Sequence, residues 1–263
     1  MRQDSAAKII LKQSWGDYYL FRLETPKIAA EARPGQFLMV RVNDTPYPLL
    51  RRPFSIHAGE KKTLELFFQV AGQGTALLAQ KRKGETLDVI GPLGKGFIPD
   101  GENLGTSYLI GGGRGIAPLY FLARHLKRLG TEVKVFYGGK SLADLPLKEK
   151  FKKVGLDILF STDDGSFGFR GFVTKLMEAE IKRKRPALLF VCGPERMMKK
   201  SAEIAASHKI PARISLESMM GCGFGACWGC VKKIKKGDGG NWRKICEDGP
   251  AFWAEEIIWD EAR

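Results

Sequence analysis

Along the first hundred residues, apolar and polar positions alternate or cluster over short spans broken by turn residues. GQFLMVRV (35–42) follows Arg33-Pro34, TLELFFQV (63–70) ends at AGQGT, and TLDVIGPLGKGF (86–97) runs out in glycines. Runs of this length with Gly/Pro punctuation predict strands. Helical spacing is weak here except after Thr75, so residues 1 to about 100 read as a sandwich or small barrel.

From about 105 to 213 the period changes. SYLIGG (107–112) is an apolar run ending in glycines. IAPLYFLARHLKRLG (116–130) then sets Leu119, Leu122, Leu126 and Leu129 on one helical face, and Gly130 predicts the helix stop. EVKVFYGG (132–139), LDILFSTDDG (156–165) and ALLFVCGP (187–194) read as further strands, with FVTKLMEAEI (172–181) and PERMMKKSAEIAASHK (194–209) helical. This alternation predicts a doubly wound parallel sheet with helices on both faces. Residues from about 214 to 263 hold a cysteine group and the acidic tail AEEIIWDEAR. A piece this short barely buries a core alone, and a ligated cluster would help stabilise it.

The length of 263 residues suits two ordinary domains and a small third module. The 43 Lys and Arg outnumber the 29 Asp and Glu, a net charge of +14. The cations are scattered apart from two runs, Lys182-Arg183-Lys184-Arg185 and Lys232-Lys233 with Lys235-Lys236. Such runs are mostly solvated faces. There is no RNP-type aromatic signature, zinc-finger Cys/His set or basic heptad helix, so nucleic-acid binding is not expected. Anionic cofactors or an acidic protein partner explain the charge more simply. No apolar run approaches the roughly 18 residues of a membrane span. The start, MRQDSAAKIILKQSW, has no apolar h-region. No membrane association and a cytoplasmic location are therefore expected.

Chemistry concentrates in the cysteines. Cys192 stands alone, whereas Cys222-x4-Cys227-x2-Cys230-x15-Cys246 has the plant-type [2Fe-2S] spacing. Three thiolates must come from one tight loop, and MGCGFGACWGC has Gly221, Gly223, Gly225 and Gly229 to let the backbone curl its amides toward sulfur. Structural zinc is the competitor. It usually takes two pairs of closely spaced ligands, which a three-plus-one grouping matches poorly. Trp228, between two of the cysteines, either shields the cluster from water or is a packing or partner-interface aromatic.

GGGRGIAPL (111–119) follows a strand and opens a helix, so Gly111, Gly112, Gly113 and Gly115 offer a pyrophosphate seat. It differs from G-x-G-x-x-G because Gly115 comes one residue early, and a plain tight turn is the alternative. Cys192 and Gly193 of CGPERMM sit at a strand's carboxyl end, where open α/β sheets bind ligands; Cys192 equally reads as a small buried residue. In STDDG, Asp163 or Asp164 is suited to an adenosine ribose and would repel a 2′-phosphate, which predicts NAD(H) over NADP(H); turn formation is the other reading. In the first region, Arg51-Arg52-Pro53-Phe54-Ser55 presents guanidinium and hydroxyl groups suited to a flavin pyrophosphate. Gly74 and Thr75 open a helical stretch, as a phosphate seat or an ordinary N-cap.

Taken in order, the β-rich first half with R-P-F-S, GGGRGIAP and CGPERMM resembles the ferredoxin–NADP reductase superfamily. GCGFGACWGC…CEDGPAF narrows the resemblance to the electron transfer subunits of type B dihydroorotate dehydrogenase. It implies a multidomain chain: an antiparallel FAD-binding β-barrel (1–100), an NAD-binding α/β doubly wound parallel sheet (101–213) and a small C-terminal [2Fe-2S] module (214–263). Carried onto this sequence, FAD contacts fall on Arg52, Pro53, Phe54 and Ser55, on Phe67, Phe68 and Gln69, and on Gly74 and Thr75. Cluster ligation falls on Cys222, Cys227, Cys230 and Cys246. The implied partner is an FMN-containing dihydroorotate dehydrogenase catalytic subunit, in a heterotetramer with two copies of each chain, acting in pyrimidine biosynthesis. Electrons are expected to pass between NAD(H), FAD and the cluster, with no catalytic acid or base from this chain. The same cofactors also suit a hydrogenase, a sulfide-oxidising system or ferredoxin as partner. Two features depart from the family pattern: Arg114 within GGGRG, and the basic, glycine-rich KKIKKGDGGNWRK between the third and fourth cysteines.

Overall fold

A computed structural model of the chain describes residues 1–43, 45, 47–97, 105–236 and 239–259. The boundary expected at 100/101 and the last residues of the acidic tail lie outside the described residues. Among the described residues no helix is long and apolar enough to cross a membrane.

The first region is a closed antiparallel barrel. Its strands are β1 (Arg2–Trp15), β2 (Tyr18–Glu24), β3 (Phe37–Arg41), β4 (Arg52–Glu60), β5 (Thr63–Gln69) and β6 (Thr86–Leu93), in the order β1-β2-β5-β4-β3-β6. Two short helices, α1 (Pro26–Ala29) and α2 (Gln73–Gln80), interrupt them. Alternation is visible in β6, where Leu87, Val89 and Leu93 are buried and Asp88 and Ile90 are less so. Ile9, Phe21, Leu38, Val40, Ile56, Leu66 and Phe68 complete the interior.

The second region is a sheet ordered β10-β9-β8-β7-β11-β12, with a C-terminal strand, β15 (Ala251–Trp253), beside β12. Its parallel strands are β7 (Ser107–Gly112), β8 (Val133–Gly139), β9 (Asp157–Thr162), β10 (Phe169–Arg170), β11 (Leu188–Cys192) and β12 (Ala212–Ser215). The helices are α3 (Ala117–Arg128), α4 (Lys148–Lys153), α5 (Val173–Arg183) and α6 (Glu195–Ser207). Along β7, Leu109 packs with α3 and α4 while Tyr108 and Ile110 pack with α5 and α6, so helices cover both faces. The sequence places Leu129 on the buried face of α3, but the helix ends at Arg128 and Leu129 is 64% exposed. Its N–H bonds back to the carbonyls of His125 and Leu126, and Gly130 turns the chain at φ +77°.

The C-terminal segment adds β13 (Val231–Lys236), β14 (Gly239–Lys244), α7 (Ile245–Asp248) and β15 (Ala251–Trp253). β15 pairs antiparallel with β12, extending the parallel sheet. Cys230, Ile234, Ile245, Cys246, Phe252 and Ile257 share one core with Phe37, Met39 and Leu93 of the barrel. The short segment thus completes its core with apolar surface from both neighbours.

Polar groups cross the seam between barrel and sheet. Glu65 on β5 is buried and pairs with Lys150 on α4 and with Arg22 on β2. Burial alone would push its carboxyl up; Lys150 leads the charges that outweigh this and hold it below its ordinary value. The nearby His57 ring is fully buried, stacks on Tyr120 at 4.6 Å and donates from Nδ1 to the Ala117 carbonyl (2.8 Å). Burial, then Lys150, drives His57 down to about 3, so the ring is neutral. Removing one partner of a buried pair strands the other charge. Glu65→Gln is therefore expected to lower unfolding free energy by about 2–3 kcal/mol near neutral pH, below the full range because Lys150 keeps some contact with water. A carboxyl with a depressed folded pKa stabilises above its unfolded value and loses that contribution as pH falls. The difference between wild type and variant should shrink below about pH 4.5, as read from urea titrations at several pH values.

Candidate functional site

The four clustered cysteines converge between β12 and α7. Cys222 lies beside the Cys227 thiol, and Cys246 lies beside the Cys230 thiol and is also felt by Cys222. Each sulfur accepts a backbone N–H: Cys227 donates to Cys222 Sγ (3.4 Å), Gly229 to Cys227 Sγ (3.4 Å), Cys246 to Cys230 Sγ (3.4 Å) and Gly225 to Cys246 Sγ (3.2 Å). Two glycines make this curl possible. Gly223 (φ +85°) lies so close to Met39 of β3 that a Cβ would sit 2.3 Å from its side chain. A Cβ on Gly225 (φ +91°) would sit 2.7 Å from the Glu247 carboxylate. Cys230 and Cys246 are buried, Cys222 is half-buried and Cys227 is exposed.

For Cys222, burial is outweighed by N–H groups from Phe224 and Cys227 and by the Cys227 thiol, bringing it down to about 7. Burial, then the Cys230 thiol, pushes Cys246 up to about 12. Among the described residues no three thiol, imidazole or carboxylate groups close around a single ion position. Four thiols, each sulfur met by an amide, have the donor chemistry of a two-iron cluster, so the residues fit [2Fe-2S].

On the barrel, Arg51 and Arg52 part company. Arg51 forms an ion pair with the Asp88 carboxylate and also donates to its carbonyl (2.8 Å), which ties it to β6. Arg52 lies over the start of α2, where a Cβ on Gly74 would meet its Nε at 2.9 Å. Guanidinium and helix N-terminus therefore meet at one spot, as a phosphate seat requires. Thr75 is not the N-cap: Gly72 is, and Thr75, the third residue of α2, reaches back so that its hydroxyl accepts from the N–H groups of Ala71 (2.9 Å) and Gly72 (3.1 Å). Pro53 pairs with Met39 and Ser55 with Phe37 across β3, while Phe54 is buried against Phe68. Phe67 and Phe68 point to opposite sides of β5. Phe68 fills the barrel core, and Phe67 stacks on Tyr18 (5.6 Å, 5°) at the seam. Gln69 ends the strand opposite Tyr18.

The glycine-rich loop sits where the sheet order reverses, between β7 and its neighbours β8 and β11. Gly111 pairs with Cys192. A Cβ on Gly112 would strike Met197 at 2.6 Å, and one on Gly115 would strike the Cys192 carbonyl at 2.4 Å and Gly193 at 2.5 Å. Gly113 takes φ +52°. The two loops therefore touch backbone to backbone at the carboxyl ends of β7 and β11, the end of an open parallel sheet where ligands bind in general. The Cys192 thiol is buried and pushed up by burial and then by Glu217, so it stays protonated.

Asp164 accepts from the N–H (2.8 Å) and hydroxyl (2.6 Å) of Ser166, a turn role. Asp163, at the end of β9, is pushed up by burial and then by Asp144 and Asp164. Arg114, which departs from the family pattern, pairs with Glu217 (3.5 Å). Three further positions were not legible as site residues. Tyr18 donates to Asp144 Oδ1 across the seam (2.9 Å). Met39 abuts the cysteine loop. Tyr18, Asp144 and Met39 lie in ordinary strand and turn contexts that carry no sequence signal.

Comparison with known proteins gives concordant matches. Residues 217–258 match the iron-sulfur cluster binding domain of dihydroorotate dehydrogenase B, and residues 109–203 match the oxidoreductase NAD-binding domain. The dihydroorotate dehydrogenase B (NAD(+)) electron transfer subunit of Shouchella clausii is 39% identical, over 98% of this chain and 100% of its own. That of Desulforamulus reducens is 37% identical over 92% and 93%. Among solved structures, an NADH-dependent reduced ferredoxin-NADP oxidoreductase superposes with a TM-score of 0.86 at 31% identity, covering 97% of this chain and 91% of that one. The cytochrome b5 reductase domain of Ulva prolifera nitrate reductase, at 19% identity and a TM-score of 0.66, covers 80% and 94% and shares the fold.

Two substitutions probe the two sites separately. Cys246→Ser removes a buried thiol that Gly225 and Cys230 both contact, so iron and acid-labile sulfide should fall sharply in anaerobically purified protein while flavin is retained. Arg52→Ala removes a charge-assisted hydrogen-bond donor and should weaken FAD binding about tenfold to hundredfold, measured by flavin fluorescence titration, with iron unchanged.

Proposed function

The chain belongs to the family of dihydroorotate dehydrogenase B electron transfer subunits, and from that premise we propose that it links NAD(H) to the FMN of a dihydroorotate dehydrogenase catalytic subunit. It is an NAD-dependent oxidoreductase subunit using FAD and an iron–sulfur cluster. When bound, FAD exchanges electron pairs as hydride and the cluster exchanges single electrons. The observation that carries the proposal is the seating of the four-thiol loop on the barrel: Gly223 touches Met39, and the buried cysteines share a core with Phe37, Met39 and Leu93. The thiol centre is thereby held against the flavin-type barrel, with the buried pair Cys230 and Cys246 in one core with barrel residues.

In this reading Cys222, Cys227, Cys230 and Cys246 hold the cluster. Arg52 and the first N–H groups of α2 hold the FAD pyrophosphate. Gly111, Gly112, Gly113, Gly115 and Gly193 admit the NAD pyrophosphate at the carboxyl ends of β7 and β11, and Asp163 takes the adenosine ribose, favouring NAD over NADP. The described geometry supports each role: close backbone approach at the glycines, convergence of Arg52 on Gly74, and a ribose-side carboxylate spared from the turn that occupies Asp164. No acid or base from this chain is needed; burial and the bond to Asp144 keep the Tyr18 hydroxyl protonated. The partner reading extends to a heterotetramer with two copies of each chain. A cytoplasmic setting accords with five free cysteines.

A second reading is favoured by the 31% identity to the ferredoxin-NADP oxidoreductase structure: the same cofactors serving a ferredoxin-linked partner. Two measurements decide. Anaerobic stopped-flow mixing of the holoprotein with NADH should bleach the flavin absorbance, with kcat/KM for NADH at least about tenfold above that for NADPH. Co-purification with an FMN-bearing chain that oxidises dihydroorotate supports the first reading, and co-purification with a ferredoxin-linked complex supports the second.

A further inference from the structure

The basic segment between the third and fourth cysteines forms the β13–β14 hairpin, and its two faces differ. The register sets Lys233 opposite Trp242, Val231 opposite Lys244 and Lys235 opposite Gly240, so these side chains share one face. The other face carries Lys232 and Ile234. Ile234 is 4% exposed and bridges to Ile257, and Lys232 pairs with Glu195 of α6. The inward face is thus occupied by packing within the chain.

The outward face is cationic and aromatic. Trp242 is 51% exposed, and Lys235 is exposed. Lys244 carries the face onto the cysteine loop, its Nζ lying 4.7 Å from the centre of the Trp228 ring. Trp228 is 57% exposed and takes φ +57°, a left-handed conformation a tryptophan rarely adopts. Large exposed aromatics ringed by charge mark protein interfaces. The hairpin also begins directly after Cys230 and ends just before Ile245-Cys246, so whatever sits on it sits beside the thiol centre.

We propose that this outward face, with Trp228 and Trp242 among Lys233, Lys235 and Lys244, docks an acidic patch on the protein that exchanges electrons with the four-thiol centre. The proposal rests on the functional reading above and names the chemistry of that partner's surface. Charge complementarity carries it: Lys233 and Lys235 stand on this face beside Lys244, which also pairs with Glu247 (2.7 Å), in a chain of net charge +14. The tryptophans supply buried anchor area on contact, and the lysines steer the encounter and set its register. Lysine and tryptophan together also suit single-stranded nucleic acid. Placement of the face between two thiol ligands favours an electron-exchanging protein.

The test uses the anaerobic holoprotein and a separately purified dihydroorotate dehydrogenase catalytic subunit. Association is measured by calorimetry at low and high salt, beside NADH-to-ferricyanide activity and iron content. Lys233→Glu/Lys235→Glu should weaken association about tenfold or more and flatten its salt dependence, with iron and ferricyanide activity unchanged. Lys233→Arg/Lys235→Arg should bind as wild type. Trp242→Ala should weaken association without altering the salt dependence, and it carries the test alone if the charge reversal loses iron. Association that neither Lys233→Glu/Lys235→Glu nor Trp242→Ala changes overturns the proposal. So does loss of binding to a single-stranded oligonucleotide or to phosphatidylglycerol vesicles in these variants while subunit association is unaffected. A wild-type chain that fails to associate with the catalytic subunit at all sinks the functional reading itself, and this surface with it.

Discussion

Every sulfur of the four-cysteine group accepts a backbone N–H, and much of the C-terminal architecture follows from meeting that condition in one short stretch. The loop must turn its amides inward, which forces left-handed backbone at Gly223 and Gly225. Those residues must lack side chains because Met39 and Glu247 occupy the space. Met39 belongs to the barrel and Glu247 to the helix that bears the fourth cysteine. The same contacts that curl the loop therefore fasten it to both neighbours. The segment buries its remaining apolar surface by lending β15 to the parallel sheet, where Phe252 and Ile214 stand opposite each other.

The barrel and the sheet are held at a set angle by a different kind of contact. Buried Glu65 is held by the half-buried Lys150 and the exposed Arg22, and a neutral His57 stacks beside them on Tyr120. Elsewhere on the same seam, the parallel stack of Tyr18 on Phe67 continues through the Tyr18–Asp144 hydrogen bond into the loop after β8. Asp144 in turn accepts from the N–H groups of Lys140 and Ser141. A displacement of the barrel would thus be felt by the loop that follows β8. A seam built from directional polar contacts resists sliding better than an apolar one.

Much of this was legible from residue patterns. Strand runs at 35–42, 63–70 and 86–97 correspond to β3, β5 and β6, and the strand–helix alternation after 105 corresponds to the doubly wound sheet. The β1–β2 hairpin was less visible, because lysines and other polar residues interrupt its apolar positions. Leu129 fits the helical period but falls past the point where the α3 backbone closes on itself. Arg51 and Arg52 are equivalent as letters; Asp88 on a distant strand claims the first, and Gly74 makes room for the second. Asp163 and Asp164 are likewise interchangeable in sequence until Ser166 takes the second as a turn acceptor.

The amino-acid sequence alone determined the kind of chemistry: thiolate spacing follows the geometry of iron and sulfur, and glycines at the strand ends mark where the backbone turns tightly from strand to helix, so both are written in local order. Tertiary structure alone decided which side chains face which site and what holds the three parts together. Tyr18 and Asp144, Glu65 and Lys150, and Met39 and Gly223 lie far apart in the chain and acquire meaning only when strand pairing and helix packing bring them within bonding distance. Local spacing carries no record of such meetings, because they depend on the register of whole elements.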